Sequence, residues 1–270
     1  MYSSVKHKPK ALVNDFLDEF GHTLLIQELE LPMTKIDAIP KIIHQIWLGP
    51  LEPTVEVMET WQRLHPEWKY ILWTEENLPA LKNQDAFDKS KPYTQKADIL
   101  RYELLHHHGG IFVDADEVCL KEITPLYEEI RSNNCDCFAV REFEGSELIA
   151  NGIMGCTAGN AFMGEMVDGI NIDRPGRPWE LVGPKYLTDM IARYAPAIHI
   201  FKPKVFLPIH HSEKHRRQID MATLRLDPEI YGVQLWGTTT SAYKPSLLKS
   251  PWLFMRYWMN RLKKKQFSIK

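Results

Sequence analysis

The chain has 270 residues, of which 44% are hydrophobic and 25% charged, and its formal net charge is −2. This length and composition suit one soluble globular domain with a sizeable core. No segment approaches the roughly 20 apolar residues of a membrane span, and the first residues lack the apolar stretch of a signal peptide. We therefore expect a cytoplasmic protein. The acidic balance, without a recognised binding motif, argues against nucleic acid as a partner.

Hydrophobic periodicity predicts that strands and helices alternate along the chain. An N-terminal segment, residues 1–38, contains a predicted helical arm at 12–31. The central region, residues 39–240, has a β/α order that predicts the α/β class, with a mainly parallel, Rossmann-like sheet and helices on both faces. Its predicted elements are a strand at 41–48, a helix at 55–65, a strand at 69–73, a helical stretch near Ala80, a helix at 93–107 and a strand at 111–114.

The first predicted strand contains two adjacent polar residues, His44 and Gln45. Side chains alternate along a strand, so we expect only one of the two to face inward. Either side chain could satisfy a backbone group.

Asp114 and Asp116 lie at the end of the predicted strand 111–114. With a side-chain period of two, both carboxylates are expected to project to the same side. Their repulsion is relieved when a Mg²⁺ or Mn²⁺ ion binds between them and a ligand phosphate. Open α/β sheets bind their ligands at this end of the strands. The pair therefore predicts a metal site for a diphosphate, with a solvated turn as the alternative.

Asp98 and Arg101 are three residues apart on the predicted helix 93–107 and so share one face. Lying upstream of the carboxylate pair, this face could meet a sugar. The alternative is a surface ion pair that contributes less than ~1 kcal/mol.

The four cysteines show no paired Cys-X-X-Cys spacing, and two of them are expected on one strand. We therefore expect reduced thiols rather than a disulfide framework or a zinc site. The cysteines are Cys119, Cys135, Cys137 and Cys156.

Several segments, in order, resemble the family 32 glycosyltransferases. The strings ADILRY at 97–102 and GGIFVDAD at 109–116 are similar to the sugar-binding segment of that family. The family includes capsule and polysaccharide enzymes, fungal mannosyltransferases and, more distantly, clostridial glucosylating toxins. Further similarity occurs at residues 39–49, 65–73, 182–188 and 205–208.

This resemblance implies a GT-A glycosyltransferase fold and a metal-dependent, retaining hexosyltransferase. The donor would be a nucleoside diphosphate sugar, with UDP as the favoured nucleotide, and the acceptor a hydroxyl of a surface polysaccharide or lipid-linked glycan. Asp116 would bind Mn²⁺ or Mg²⁺ directly. Asp114 would contact the ribose, the sugar or a metal-bound water, and Asp98 and Arg101 would orient the sugar hydroxyls. The alternatives are an effector-like enzyme that modifies a host protein and a non-catalytic nucleotide-sugar or glycan-binding module.

Further donor and metal contacts follow from the resemblance. Trp47 would stack on the nucleotide base, with a core tryptophan as the alternative, and Asn151 would lie near the donor sugar, with a turn-forming asparagine as the alternative. The C-terminal motif departs from the family, in which a His, a Trp and a Ser-Trp pair are frequent. This chain has Gln234, Trp236 and Thr239 instead. We expect Gln234 and Thr239 to be metal ligands and Trp236 to close over the diphosphate.

Two further features are distinctive. His210, His211 and His215 lie on the acceptor side in the family, and a role in acceptor binding is one hypothesis for them.

The tail, residues 241–270, combines aromatic side chains with eight basic residues and no acidic one. It suits peripheral contact with the anionic inner face of the cell membrane, and a packed terminal helix is the alternative.

Overall fold

The computed structural model describes residues 38–213 and 220–237. The predicted helical arm at 12–31, Thr239, His215 and the tail 241–270 lie outside these residues. The strands are β1 (Ile42–Ile46), β2 (Lys69–Trp73), β3 (Gly110–Val113), β4 (Glu117–Cys119), β5 (Cys137–Arg141), β6 (Ile149–Cys156), β7 (Ile198–Phe201) and β8 (Gly232–Gln234). The helices are α1 (Val55–Leu64), α2 (Gln84–Lys89), α3 (Tyr93–His108), α4 (Thr124–Ser132), α5 (Ala161–Asp168), α6 (Pro178–Leu181), α7 (Pro184–Tyr194), α8 (Pro203–Phe206) and α9 (Met221–Leu226).

Six strands form the central sheet, in the order β2-β1-β3-β6-β5-β7. Strand β6 is antiparallel to both of its neighbours, and the other adjacent pairs are parallel. Strands β4 and β8 form a separate antiparallel pair. The predicted α/β class with a mainly parallel sheet is confirmed.

The core lies on both faces of this sheet. Ile111 and Phe112 are adjacent on β3 but belong to different hydrophobic clusters, as the alternation of side chains along a strand requires. Helices α3, α5 and α7 contribute to the cluster around Phe112, whereas Trp61 of α1 and helix α4 pack in the cluster around Ile111. Helices therefore cover both faces of the sheet, as predicted.

His44 and Gln45 are both fully buried, so the prediction that only one faces inward was wrong. The reason is that helices cover both faces of a central parallel strand. The His44 Nε2 atom lies 2.9 Å from the Gly109 carbonyl oxygen, and its Nδ1 accepts a hydrogen bond from Trp73 at 3.1 Å. This pairing requires a neutral ring with the proton on Nε2. Burial lowers the pKa of His44 to about 4.

Two glycines connect α3 to β3. Gly109 has φ +61° and Gly110 φ +90°, the left-handed region that favours glycine. A Cβ atom on Gly109 would lie 2.5 Å from the backbone nitrogen of Ala158, and one on Gly110 would lie 2.6 Å from the carbonyl oxygen of Ile42. The Gly-Gly pair thus allows β3 to lie close against β1, and the carboxyl end of β3 leads directly to Asp114.

Two predicted boundaries differ from the structure. The helical stretch near Ala80 is not helical, and α2 begins only at Gln84. The buried Glu103 carboxylate accepts the backbone N–H groups of Lys82 and Asn83, each at 2.7 Å, and so holds the preceding segment in a turn. Cys135 and Cys137 are the two cysteines expected on one strand, but only Cys137 belongs to β5 and Cys135 precedes it. All four cysteines are free thiols. Within the described ranges, no helix combines the length and apolar character needed to cross a membrane.

Candidate active site

Asp114 and Asp116 lie in a turn between β3 and β4, not on a strand as predicted, because β3 ends at Val113. The Asp114 N–H makes the last bond toward β6, to the Gly152 carbonyl oxygen at 2.7 Å. The Asp114 carbonyl oxygen then accepts from the Glu117 N–H at 3.1 Å and from Gln45 Nε2 at 3.2 Å, which turns the chain. Strand alternation therefore does not explain why the two carboxylates are close.

The two carboxylates nevertheless converge. Gln234 Nε2 lies 3.3 Å from Asp114 Oδ2 and 3.1 Å from Asp116 Oδ1. Asp116 Oδ2 also accepts the backbone N–H of Gly237 at 2.6 Å. The pair is therefore held from the β8 side by residues more than a hundred positions further along the chain.

Arg101 lies behind this pair, and its side chain is only 4% exposed. Its Nη2 atom is 3.0 Å from Asp114 Oδ1 and 3.2 Å from Asp98 Oδ1, and another guanidinium nitrogen donates to the Asn151 carbonyl oxygen. The guanidinium also stacks on the Phe112 ring, 4.2 Å from its centroid. The alternative of a surface ion pair was therefore wrong, since Asp98 and Arg101 belong to a buried network that reaches the carboxylate pair.

Asn151 lies within β6 and orients Asp98, so its alternative interpretation as a turn residue was wrong. Its Nδ2 atom is 2.9 Å from Asp98 Oδ1 and 3.1 Å from the Tyr102 hydroxyl oxygen. Tyr102 in turn donates to the carbonyl oxygen of Val182 at 2.8 Å. The predicted sugar-side residues are thus brought together around one edge of the carboxylate pair.

Negative charge is concentrated in this region. Burial raises the pKa of Asp98 to about 6, although the Arg101 charge opposes the shift. Burial also raises the pKa of Asp114 to about 7; Arg101 opposes this shift, whereas the charges of Asp116 and Asp98 add to it. Glu117 is fully buried, and neither of its carboxylate oxygens has a hydrogen-bond partner among the described residues. Burial raises the pKa of Glu117 well above the usual range. Four carboxyl groups thus lie in this region, and Arg101 contacts two of them, Asp98 and Asp114.

This donor set fits a divalent cation. Carboxylate and amide oxygens are the ligands that Mg²⁺ and Mn²⁺ prefer, and the surplus of buried carboxyl groups would be stabilised by positive charge. Asp114 and Asp116 would hold the ion. Gln234 Oε1 is buried and has no hydrogen-bond partner in the part of the chain that the structure describes, and a half-turn of the amide would exchange its nitrogen for this oxygen beside the carboxylates.

Trp236 belongs to the segment that closes on Asp116. Its backbone is left-handed, with φ +55°, and its indole N–H donates to the Ile209 carbonyl oxygen at 2.8 Å. The neighbouring Gly237 supplies the N–H that binds Asp116. The predicted contact of Trp236 with diphosphate stays a prediction, as does the metal-ligand role of Thr239, which is outside the described residues.

Trp47 directly follows β1 and is half-buried. Its indole N–H donates to the Leu51 carbonyl oxygen at 2.8 Å, so the ring orientation is fixed locally. Base stacking by this ring stays a prediction.

Sequence reasoning missed two residues that position the carboxylate turn, Thr54 and Gly152, whereas the expectation that Gln45 could satisfy a backbone group is confirmed. Gln45 bonds the Asp114 backbone, and the Thr54 hydroxyl donates to the Ala115 carbonyl oxygen at 2.7 Å. Gly152 leaves room for Asp114, because a Cβ atom there would lie 2.7 Å from Asp114 Oδ2. The sequence offers one signal for Gly152, which is that it directly follows Asn151, a predicted donor-sugar residue. The contacts of Gln45 and Thr54 depend on the tertiary fold.

Comparison with known proteins gives a consistent result. Residues 52–135 match the family described as "Glycosyltransferase sugar-binding region containing DXD motif". This range includes Asp98, Arg101, Asp114 and Asp116, and the predicted resemblance is confirmed.

Two curated relatives are similar over part of the chain. Mannosyl phosphorylinositol ceramide synthase of Saccharomyces cerevisiae is 36% identical over 105 residues, which are 34% of this chain and 26% of the relative. Inositol phosphoceramide mannosyltransferase 3 of Schizosaccharomyces pombe is 35% identical over 144 residues, which are 48% of this chain and 36% of the relative. The matches thus span about a quarter to a third of these relatives.

Among solved structures, a glycosyltransferase involved in the glycosylation of the major capsid of PBCV-1 aligns with a TM-score of 0.46 and 11% identity. The alignment covers 75% of this chain and 98% of that chain.

Proposed function

We propose that this chain, whose residues 52–135 match the glycosyltransferase sugar-binding region containing a DXD motif, is a metal-dependent hexosyltransferase. The donor is a nucleoside diphosphate sugar, and the acceptor is a hydroxyl of a glycan or glycolipid. The convergence of Asp114 and Asp116 on Gln234, with Arg101 behind them, is the observation that supports this proposal most strongly.

The carboxylate pair would hold Mn²⁺ or Mg²⁺ against the donor diphosphate. A cation bound there neutralises the charge that develops on the departing diphosphate. Asp116 is the principal ligand in this proposal, because the Gly237 backbone N–H already fixes its carboxylate through Oδ2. Asp114 is tied to Arg101 through Oδ1 and presents Oδ2 toward Gln234.

Asp98, Arg101 and Asn151 would orient the sugar. Their side chains hold one another, so their positions are fixed before the donor binds, and this reduces the free energy needed to order the site. The bond from the anomeric carbon to the diphosphate oxygen breaks while a bond from the acceptor oxygen forms. With retention of configuration, the acceptor proton passes to the leaving phosphate oxygen on the same face.

The identity of the sugar is a finer part of the proposal. The sequence favours a UDP-hexose, whereas the names of the two relatives add mannose as the transferred sugar and inositol phosphoceramide as an acceptor. A UDP-hexose and a nucleoside diphosphate mannose both carry a diphosphate and sugar hydroxyls. The same carboxylate pair and the same sugar-side residues would therefore bind either donor. An acceptor-free hydrolysis assay with UDP-glucose, UDP-galactose and GDP-mannose distinguishes them.

That assay also tests the metal. With Mn²⁺ or Mg²⁺ present the chain should slowly hydrolyse one of these donors, and excess chelator should abolish hydrolysis. Asp116→Asn should abolish it too, since loss of one ligand charge removes part of a stabilisation of several kcal/mol and each 1.36 kcal/mol is tenfold in rate. Asp88→Asn, on the exposed face of α2, is the matched control. Undiminished hydrolysis in Asp116→Asn or in chelator would refute the metal-dependent mechanism.

The division into an N-terminal arm, a catalytic domain at 39–240 and a tail at 241–270 is part of the same proposal. A cytoplasmic enzyme whose basic, aromatic tail contacts an anionic membrane would reach lipid-linked acceptors. A non-catalytic binding module is the weaker alternative, because it would not need the two carboxylates to converge.

A further inference from the structure

A second group of potential metal ligands lies outside the carboxylate site. Glu142 directly follows β5, and His210 and His211 follow α8. One ligand atom from each of the three side chains lies within 4.8 Å of the others. His210 Nε2 is 3.5 Å from Glu142 Oε1.

Two atoms of this group, His210 Nε2 and Glu142 Oε2, are buried and have no hydrogen-bond partner among residues 38–213 and 220–237. The two side chains are only 16% and 13% exposed. His210 Nδ1 lies 2.7 Å from the Ser212 hydroxyl oxygen, a contact that fixes the ring and leaves Nε2 directed toward Glu142. A buried carboxylate oxygen and a buried imidazole nitrogen without partners are unfavourable unless a cation or proton binds them.

We propose that Glu142, His210 and His211 form a zinc site separate from the carboxylate pair. Two imidazole nitrogens and one carboxylate oxygen are ligands that Zn²⁺ accepts in a tetrahedral site with one open position. With bonds of about 2.0–2.2 Å, tetrahedral ligands are about 3.3 Å apart, so the Glu142–His210 separation already suits this geometry. The all-oxygen carboxylate site instead favours Mg²⁺ or Mn²⁺.

This zinc site is connected to the active-site segment. The Trp236 ring centroid is 5.5 Å from that of His210 and 5.1 Å from that of His211. The Trp236 indole N–H donates to the carbonyl oxygen of Ile209, which precedes His210 in the chain. Gly237, which follows Trp236, donates its backbone N–H to Asp116. Zinc would thus join the loop after β5 to the loop after α8 and fix the surface on which Trp236 packs, which makes the three ligands positioning residues for the segment that holds Asp116.

The test uses the full chain freed of metal by a chelator and dialysed. Titration with Co²⁺ should produce the visible bands of tetrahedral cobalt, Zn²⁺ should abolish them, and calorimetry should give a Zn²⁺ affinity. His211→Ala and Glu142→Gln, from different loops, should each weaken Zn²⁺ binding by at least about 100-fold, because even outer-sphere changes weaken metal sites by 10–100-fold. Circular dichroism and melting curves confirm that both variants fold.

His199→Gln is the matched control, because His199 Nε2 also lies 3.2 Å from a carboxylate, that of Glu129, but belongs to no three-ligand group among the described residues. It should bind Zn²⁺ as the wild type does. Asp116→Asn should also retain the cobalt bands. Absence of the bands in the wild type, their persistence in both ligand variants, or their loss in Asp116→Asn would overturn the zinc site. Missing donor hydrolysis with intact bands would instead count only against the proposed transferase function.

Discussion

Gly152→Ala should separate the placement of Asp114 from the stability of the sheet. The added Cβ atom would lie 2.7 Å from Asp114 Oδ2 and 3.3 Å from Asp114 Cγ. An ordinary contact begins at 3.4 Å, so the carboxylate must move by 3.4 − 2.7 Å, or about 0.7 Å. Its other contacts are Arg101 and Gln234, and the displacement would disturb both.

A displacement of this size has a large effect on catalysis. Misplacement of a catalytic group by about 1 Å can lower a rate by about 100-fold, which corresponds to about 2.7 kcal/mol of transition-state stabilisation. We expect Gly152→Ala to lose donor hydrolysis by roughly 10² while its melting temperature changes by only a few degrees. The neighbouring atoms are the movable end of a side chain, so the backbone of β6 need not shift.

Gly155→Ala provides the contrast within the same strand. Its Cβ atom would meet Phe138 at 2.5 Å and the Gly110 carbonyl oxygen at 2.7 Å, and neither contact involves a site carboxylate. Overpacking of this kind destabilises by about 1–3 kcal/mol, or several degrees in melting temperature. Wild-type hydrolysis by Gly152→Ala, or a loss of stability equal to that of Gly155→Ala, would refute the reasoning.

Three other predictions concern the sugar network, the buried histidine and the tail. Asp98→Ala should lower donor hydrolysis at least ~10²-fold and, because it breaks a buried ion pair with Arg101, should also lower the melting temperature by several degrees; a normal rate would exclude Asp98 from donor binding. Burial lowers the pKa of His44 from 6.5 to about 4. The contribution of neutral His44 to the free energy of unfolding is therefore complete above pH 6.5, and about 3 kcal/mol of it is lost as the pH falls toward 4. Between pH 7 and 4.5, urea unfolding should therefore show a smaller decrease in the free energy of unfolding for His44→Gln than for the wild type and the control His107→Gln. Equal decreases in all three proteins would contradict this prediction. Truncation after Lys249 should abolish low-salt binding to phosphatidylglycerol vesicles and leave hydrolysis intact; loss of hydrolysis would assign the tail to the catalytic domain.

The sequence predicts the parts of the site that depend on local pattern. Helical spacing puts Asp98 and Arg101 on one face, and the apolar run 111–113 ends directly before the carboxylates. The turn at Asp114 could not be predicted, because the groups that end β3 come from Gln45 and Gly152 through tertiary contacts. Likewise, the burial of both His44 and Gln45 follows from helices on both faces of the sheet, which a single strand's pattern does not specify.

Long-range contacts also explain why the sequence alone does not predict the group formed by Glu142, His210 and His211. His210 and His211 are adjacent in the sequence, and the family resemblance suggests only acceptor binding for them. Glu142 lies near them only because β5 ends beside the loop that follows α8. Its position directly after a strand gives no signal of metal binding in the sequence. Only the tertiary fold brings one ligand atom of each of the three side chains within 4.8 Å of the others.

The two carboxylates of the DXD motif depend on different parts of the fold. Asp114 is fixed by Arg101 and by the backbone of β6, and both belong to the central sheet and its covering helix. Asp116 is fixed by Gln234 and Gly237, which belong to or follow a strand of only three residues in the smaller sheet. Because Gln234 Nε2 bonds both carboxylates, a cation that binds them must displace this nitrogen, either by a half-turn of the amide or by movement of β8. If β8 moves in the proposed metal-bound state, metal binding would be coupled to the position of the 234–237 segment, and a contact that fixes Trp236 would then affect Asp116.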